Sequence, residues 1–448
     1  MAQTQKHNLQ DIRKDQKTPD PHYAEYTEKP ESPQSSLREV NSEKERRPDV
    51  GYAWVVMVFG VISFFFAFSN LMVYGIFETY YLKVMFVNEK AANIAWIGTL
   101  SNMLTQSCGI LAGPLAHYIG LRNVLLLSGT LGGLGFLLAS FSTQIWQLTL
   151  TQGVLCGFSS SLIVNLTLLV GSSWFEKKRV SALTIISAGS TIGGLVLVPI
   201  VTNCIDRLGI GWVFRIMAIT FFFFMILGAF FMRPRVNFEL SKHVISLNLL
   251  KDPYLILVCL GQAFSNAGYL VPLMYFPASV MDLGLATSSS YYLVMVFCGA
   301  VLLSRITIVL ANKYIGPMNM VIVSHIIVAI LILSLWLPNK SITLHIAFYA
   351  IYGLFSSPMY ALSPVFISGV YKTKEVGQAN GLVLLCTGIS TVTSTPLIGY
   401  LFDKYGNRTD YTLIIIISAC FYLLSAMTLV VLRVYTRRNI PAFKHGPI

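Results

Sequence analysis

The feature that most constrains this chain is a series of long apolar runs, separated by short turns that carry most of the charge. A hydrocarbon layer about 30 Å thick is crossed by roughly 20 residues of helix. The runs that are long enough are 51–77, 91–121, 123–175 (room for two helices), 180–205, 208–232, 253–281, 283–312, 314–339, 341–371, 376–402 and 411–432. Only 12% of the residues are charged, against roughly 25% in an ordinary soluble domain. The sequence therefore predicts an all-α membrane protein with twelve transmembrane helices.

The basic residues in the turns predict the orientation of these helices. An even number of spans places both chain ends on one side, and beyond residue 50 that side carries fifteen Lys and Arg residues against seven on the other. Because cytosolic turns are enriched in Lys and Arg, both termini are expected in the cytosol. The plasma membrane is the expected location, with the vacuolar or another internal membrane as the alternative.

A sequence repeat indicates that the spans form two halves. Tyr-Ile-Gly at 118–120 recurs at 314–316, an offset of 196, and Pro199 recurs as Pro396, an offset of 197. Such repeats are typical of transporters built from two bundles with a substrate site between them. The predicted organisation is a disordered cytosolic tail (1–50), a six-helix bundle (51–232), a cytosolic linker (233–252), a second six-helix bundle (253–433) and a cytosolic tail (434–448).

Two segments at helix entries carry a resemblance to a known family. Residues 48–54 read Pro-Asp-Val-Gly-Tyr-Ala-Trp, and residues 174–179 read Trp-Phe-Glu-Lys-Lys-Arg, followed by Ala-Gly-Ser at 188–190. Both resemble signatures of the monocarboxylate transporter family, in the wording of its fungal branch, which includes riboflavin-carrier-like members. The resemblance implies the major facilitator fold and transport by alternating access.

The resemblance also sets the expected cargo. A small organic anion is expected, with a monocarboxylate first and riboflavin or a related flat metabolite second, and a nutrient sensor that does not transport is the alternative from another class. Where proton-coupled members of the family have a Lys and an Asp, this chain has Met72 and Val301. Those losses predict facilitated diffusion without a proton.

Other classes of function lack the residues they require. No phosphate-binding loop of the form Gly-x-x-x-x-Gly-Lys-Ser/Thr occurs, and the seven cysteines are scattered singly in apolar surroundings. The net charge of +12 is spread between apolar runs rather than along one basic face, so nucleic acid is not the expected partner. We therefore expect no enzyme activity, no cofactor and no metal, with a small molecule and the lipid bilayer as partners. The oligomeric state is not predicted.

Arg305 is the most informative residue, because it stands deep inside an apolar run, in Val-Leu-Leu-Ser-Arg-Ile-Thr-Ile-Val at 301–309. A charge at the centre of a spanning helix costs about 2.5–3.5 kcal/mol on insertion scales. Two interpretations are open. The guanidinium either extends to the lipid headgroups or faces a central cavity, where its planar fork suits a carboxylate or a ring carbonyl.

Other polar and aromatic residues within the apolar runs are candidates for the same cavity. These substrate-binding candidates are Asn70, Tyr74, Asn165, Gln262, Asn266, Tyr269, Ser356 and Tyr360. Polar side chains in a membrane span must face water or find partners, so the alternative is that some of them only join helices. His325 and His345 are the corresponding candidates for carrying a proton.

The signature segments supply candidates for gating. Lys177, Lys178 and Arg179 open the fifth predicted span, where they anchor a helix end and, by the resemblance, form an inner gate with Glu176 as an ion-pair partner. Asp49 is expected at the positive end of the first span.

Three further features are expected to be structural. Trp54 should lie at the membrane interface, where tryptophan is enriched. Gly189 and Gly193 are one helical turn apart and should allow two helices to pack closely. The prolines within the spans, Pro199, Pro364 and Pro396, are expected to kink or end their helices.

Overall fold

A computed structural model describes residues 47–235, 247–284, 287–338, 341–406 and 409–439. Residues 1–46, 236–246 and 440–448, which hold most of the predicted tails and linker, lie outside these ranges. In the described part the chain forms twelve long helices. They are α1 (Tyr52–Met85), α2 (91–119), α3 (Leu121–Ala139), α4 (Ile145–Trp174), α5 (Arg179–Leu208), α6 (Ile210–Phe231), α7 (Pro253–Asp282), α8 (Thr287–Ile315), α9 (Pro317–Trp336), α10 (Ile342–Val370), α11 (Thr373–Tyr405) and α12 (Thr412–Asn439).

The helices match the apolar runs of the sequence, so the all-α membrane fold is confirmed. Among the described residues, eleven helices are long and apolar enough to cross a membrane. The other one, α2, carries a polar series that includes Ser101, Asn102 and Gln106. These residues lower its hydropathy, and two of them line the central cavity described below.

Glycines with positive φ angles join successive helices at equivalent points of the two halves. Gly120 separates α2 from α3 with φ 85°, and Gly316 separates α8 from α9 with φ 80°. Both belong to the Tyr-Ile-Gly segments of the sequence repeat. Only glycine adopts this backbone region without strain. The repeated glycine therefore gives both halves the same backbone conformation at the turn between neighbouring helices.

The prolines named from the sequence do not end their helices. Pro199, Pro364 and Pro396 all lie inside continuous helices, so of the two expected effects, a kink or an end, the end does not occur. The interruption occurs instead in α10, where Ser357 separates Ile342–Ser356 from Pro358–Val370. A proline disfavours helical conformation in the residue before it, and neighbouring helices supply the tertiary contacts that hold the other three in place.

The two halves of the chain, α1–α6 and α7–α12, pack against each other through a few helices. Across the boundary α5 contacts α8 and α10, and α2 and α4 contact α11. A Cβ atom added at Gly381 of α11 would lie 2.7 Å from Ile110 Cα, so the α2 and α11 backbones approach closely there. The halves therefore enclose a space between them, bounded on two sides by these crossings.

Both described chain ends lie on one side of the bundle, which we call the tail side. There the backbone N–H of Asp49 donates to the carbonyl of Trp174 at 3.0 Å, and the Tyr52 hydroxyl donates to the carbonyl of Phe231 at 2.7 Å. In the second half, Tyr371 at the end of α10 donates to the carboxylate of Asp252, which caps the start of α7. Burial and this hydrogen bond raise the pKa of the Tyr371 hydroxyl, so it remains a donor at neutral pH.

We expect the tail side to face the cytosol, because most of the basic residues lie there. Single cysteines at Lys177, on the tail side, and at Lys404, near the opposite end of α11, report the orientation because both positions are exposed. In a cysteine-free background, a membrane-impermeant maleimide added to intact cells should label position 404 and leave position 177 unlabelled. The opposite pattern would reverse the predicted topology, and labelling of both after permeabilisation is the control.

Candidate functional site

A cavity of about 150 Å³ lies between the two halves. It is lined by helices of both halves, namely α1, α2, α4 and α5 of the first and α7, α8, α10 and α11 of the second. The lining side chains are those of Phe64, Phe68, Leu71, Met72, Asn102, Gln106, Val164, Leu168, Ser187, Ser190, Thr191, Gln262, Asn266, Tyr269, Leu270, Leu273, Phe297, Cys298, Val301, Arg305, Ser357, Tyr360, Ser363, Pro364, Asn380, Val383 and Leu384. The wall is mainly apolar and aromatic, with one charged residue.

Arg305 is that charged residue, and the structure places it in the cavity wall rather than at the lipid headgroups. Its side chain is only 6% exposed, and its Nη1 donates to the carbonyl oxygen of Ser357 at 3.0 Å. That carbonyl lies at the interruption of α10 and also accepts from the N–H of Tyr360 at 3.2 Å. Nε is buried without a hydrogen-bond partner in the described part of the chain, and no acidic side chain lines the cavity there. The guanidinium therefore has donors free for an anion or a carbonyl group.

An amide and two tyrosines form an ordered wall beside Arg305. The Tyr360 hydroxyl donates to Asn266 Oδ1 at 2.7 Å, and Asn266 Nδ2 donates to Thr391 Oγ1 at 3.0 Å. The rings of Tyr269 and Tyr360 pack edge to face with centroids 5.1 Å apart. The Tyr360 hydroxyl and the Asn266 amide are therefore already bonded, and this part of the wall presents the aromatic rings of Tyr269 and Tyr360 to a ligand.

Gln262 belongs to the same wall and has no such partner. Its side chain is 2% exposed, and Oε1 is buried without a hydrogen-bond partner among the described residues. Five of the nine substrate-binding candidates therefore line one cavity, namely Arg305, Gln262, Asn266, Tyr269 and Tyr360.

Asn70 and Tyr74 lie outside the cavity lining and join helices of the first half. Asn70 Nδ2 donates to Ser101 Oγ at 2.9 Å, and its Oδ1 accepts from Gln152 Nε2 at 2.8 Å. The Tyr74 hydroxyl donates to the carbonyl of Ile94 at 2.9 Å. These bonds connect α1 to α2 and α4. Asn70 and Tyr74 therefore join helices, which was the alternative to lining the cavity.

Asn165 and Ser356 are also absent from the lining. Asn165 Nδ2 donates to the carbonyl of Gly109 at 2.6 Å and to that of Gly377 at 3.4 Å, so it links α4 to α2 and, across the halves, to α11. Ser356 is fully buried next to the interruption of α10, and its neighbour Ser357 lines the cavity in its place. Asn165 thus lies in a contact between the halves on the tail side.

The histidines contact structural partners rather than the cavity. His325 is fully buried in the second half, with its ring nitrogens 3.2 Å from Ser265 Oγ and 3.1 Å from Ser425 Oγ. His345 Nδ1 lies 3.0 Å from the carbonyl of Ser341. Neither lines the cavity, so the cavity wall contains no histidine and no carboxylate among the described residues.

The gating candidates meet at the tail-side end of α5. Both carboxylate oxygens of Asp49 accept from backbone N–H groups, of Lys177 and of Lys178, each at 3.0 Å. Asp49 precedes α1 in the sequence, and its carboxylate also pairs with free backbone N–H groups at the start of α5. The ammonium of Lys178 lies 5.1 Å from the ring centroid of Trp54, which is 41% exposed.

Arg179 makes the contact that crosses between the halves. Its Nε donates to the carbonyl of Phe175 at 2.9 Å, and its Nη1 donates to the carbonyl of Ser368 on α10. The expected partner of the basic cluster, Glu176, pairs instead with Arg235 at 2.9 Å. Together with Asn165, Arg179 holds the two halves together on the tail side, so this structure is closed there.

Gly189 and Gly193 lie where α5 crosses α1 within the first half. A Cβ atom at Gly189 would overlap the carbonyl oxygen of Val61, and one at Gly193 would lie 3.1 Å from that of Phe65. Close backbone packing is therefore their observed role, as small residues at helix crossings provide.

Three amide residues of the cavity were not predicted from the sequence, namely Asn102, Gln106 and Asn380. Asn102 and Gln106 are four residues apart in α2, so they share one helix face, and that spacing within a predicted span was an available signal. Asn380 lies near the start of its run, where a polar residue is ordinarily assigned to the interface. Within the described residues no group of three or more His, Cys, Asp or Glu side chains converges as a metal site would require.

Comparisons with known proteins agree with this architecture. The family model described as Major Facilitator Superfamily matches residues 57–390 and again 309–447. The MFS transporter asaE of Aspergillus flavus is 30% identical over 369 residues, which cover 82% of this chain and 83% of that protein. The aspyridones efflux protein apdF of Emericella nidulans is 27% identical over 81% of this chain and 75% of its own length.

A solved structure supports the fold independently of sequence. The proton:xylose symporter XylE superposes with a TM-score of 0.67 at 13% identity, covering 87% of this chain and 96% of the symporter. The twelve helices, the cavity between two halves and the match to the family model over most of the length identify a multi-pass membrane transporter. The chain belongs to the major facilitator superfamily.

Proposed function

We propose that this transporter moves a small organic anion with a flat, largely apolar body by alternating access. Arg305 is the evidence that the substrate carries an anionic or carbonyl group. It is the one charged side chain among the described cavity residues, and its Nε is unpaired. A buried charge without a counter-ion is costly, so a ligand that supplies the counter-ion binds with a large electrostatic gain.

The aromatic wall favours a ring over a short aliphatic acid. Tyr269 and Phe297 pack with centroids 6.1 Å apart, and Phe64 and Phe68 line the opposite wall. Aromatic surfaces stabilise flat ligands by stacking and by burial of apolar area. An aromatic carboxylate fits these features best among monocarboxylates, and a flat ring system with carbonyl groups, such as a flavin, is the second candidate.

Export is the proposed direction. The relative from Emericella nidulans is named as an efflux protein, which is the support that the comparisons give. Alternating access allows either direction, because the same site opens first to one side of the membrane and then to the other.

The test is counterflow in proteoliposomes that contain the purified full-length protein. Vesicles loaded with unlabelled phenylacetate should accumulate labelled phenylacetate transiently, and labelled acetate or glucose should not show this exchange. Riboflavin added outside competes only if the second candidate is correct. An absence of exchange with phenylacetate and with riboflavin would contradict the proposed substrate class, while exchange of a neutral sugar would contradict the role of the cation.

Transport is expected to be independent of the proton gradient. Carboxylates and histidines are the groups that ordinarily carry protons near neutral pH, and the described cavity residues contain neither. In vesicles with an imposed pH step, substrate should reach equal concentrations inside and outside and should not accumulate further. Accumulation that collapses with a protonophore would show coupling through a residue outside this lining, and Glu78 near the end of α1 is the first position to replace.

A further inference from the structure

The cavity contains two amide side chains that are buried and unpaired. Gln262 on α7 and Asn380 on α11 are each 2% exposed, and Gln262 Oε1 and Asn380 Nδ2 lack hydrogen-bond partners in the described part of the chain. Asn266, one turn from Gln262, has its amide fully engaged with Tyr360 and Thr391. Asn266 is therefore satisfied within the wall, whereas Gln262 Oε1, Asn380 Nδ2 and the Ser357 hydroxyl are not.

The two amides lie at a depth similar to that of the unpaired nitrogen of Arg305. Gln262 is nine residues from the tail-side end of α7, Asn380 seven from that of α11, and Arg305 ten from that of α8. At 1.5 Å per residue, this spread of three residues corresponds to about 5 Å along the membrane normal. A ligand group held by Arg305 is thus within the layer that contains both amides.

Unpaired amides in an apolar wall are costly to the empty protein. A buried polar group without a partner has lost its hydrogen bonds to water and gained none in the protein. An amide offers both a donor and an acceptor, whereas the guanidinium offers only donors. A bare carboxylate satisfies Arg305 and leaves the acceptor Gln262 Oε1 unpaired. A ligand that also carries a hydroxyl, enol or amide group can donate to Gln262 Oε1 and accept from Asn380 Nδ2.

We infer that Gln262 and Asn380 determine substrate specificity by binding a polar group adjacent to the acidic group of the substrate, with Gln262 Oε1 accepting a hydrogen bond from that group and Asn380 Nδ2 donating one to it. The preferred class is then an aromatic acid, or an acidic ring carbonyl compound, that carries a neighbouring hydroxyl, enol or amide group. This inference rests on the proposed function, since Arg305 must hold the acidic group for the amides to reach its neighbour.

Mandelate and phenylacetate test this directly, because they differ by one hydroxyl group next to the carboxylate. Half-saturation constants for both acids are measured by counterflow in proteoliposomes for the wild type, Gln262→Leu and Asn380→Leu. The wild type should prefer mandelate by about tenfold, as expected for one or two neutral hydrogen bonds. Each variant should reduce that preference to about two- to threefold, because it weakens the binding of mandelate more than the binding of phenylacetate.

Asn203→Leu, the same chemical change at an exposed position of α5, is the matched control and should leave both constants unchanged. Gln262→Met, which is apolar and close in volume, replaces Gln262→Leu if that variant does not fold. An equal preference in the wild type and in both cavity variants would overturn the inference. Dependence of both acids on Arg305 would still stand in that case, so the proposed function would survive. Failure of the wild type to exchange either acid would overturn the inference, and failure to exchange riboflavin as well would overturn the proposed function.

Discussion

Replacing Arg305 with glutamine should abolish transport of anionic substrates while leaving the protein at least as stable as the wild type. The guanidinium contributes charge-assisted hydrogen bonds of about 1.5–3 kcal/mol each, so loss of two should weaken binding by roughly 100-fold or more. A buried charge without a counter-ion is costly, so its removal should not destabilise the fold. The carbonyl of Ser357 keeps the N–H of Tyr360 as a donor at 3.2 Å and is not left unpaired.

The measurement combines counterflow of phenylacetate with the thermal midpoint of the purified protein in detergent. Arg305→Lys is the matched variant, because it keeps the charge and loses the planar fork, and it should retain weak transport. If Arg305 were purely structural, the result would be the opposite. The thermal midpoint of Arg305→Gln would be lower than that of the wild type, and the half-saturation constants of the folded variant would be unchanged.

Gly388→Ala should slow transport by more than tenfold by preventing α2 and α11 from packing closely between the halves. A Cβ atom at this position of α11 would overlap Ser107 Oγ and lie 3.0 Å from the carbonyl oxygen of Met103, both on α2. This contact crosses between the halves, so the added methyl group disfavours the closed arrangement seen here. The population should shift toward a state in which α2 and α11 are further apart.

Ser107→Gly provides the control for that prediction. The Ser107 hydroxyl is buried without a hydrogen-bond partner among the described residues, so its removal costs little. The double variant should recover most of the wild-type rate, since the overlapping atom is gone. A cysteine at Leu168, which lines the cavity on α4, should react faster with maleimide from the tail side in Gly388→Ala than in the double variant. Equal rates of transport in the wild type and in Gly388→Ala would refute the proposal.

The spans could be predicted from the sequence because the bilayer dictates their length. Each helix must satisfy its own backbone groups across about 30 Å of hydrocarbon, and this leaves a long apolar run in the sequence. The polar residues could not be assigned in the same way. Asn70 and Asn266 give identical signals as single amides in apolar runs, yet only Asn266 lines the cavity. Both amides are paired, and what separates them is where those partners lie: Ser101 and Gln152 hold Asn70 within the first half, whereas Asn266 is held by Tyr360 of the cavity wall.

Two further features of the structure could not be predicted from the sequence, the contact made by Arg179 and the interruption of α10. Arg179 lies 189 residues from Ser368, to which it donates a hydrogen bond, so sequence alone indicated a gate without naming the contact that forms it. The interruption of α10 occurs at Ser357 because Pro358 follows it, whereas Pro364 six residues later stays within a helix. Proline identifies possible breaks, and the packing around each one decides which of them occurs.

The charged residue of the cavity and much of its apolar lining belong to different halves of the protein. This division affects how such a carrier can evolve to bind a new substrate. Arg305 belongs to the second half, whereas α1 and α4 of the first half contribute Phe64, Phe68, Met72 and Leu168, whose side chains hold no polar group that must be kept. Replacing one apolar side chain with another of different size costs less than moving a buried cation. Point mutations in the first half can therefore change the space for the apolar body of the substrate in related carriers. The arginine in the second half that would bind the acidic group can stay the same.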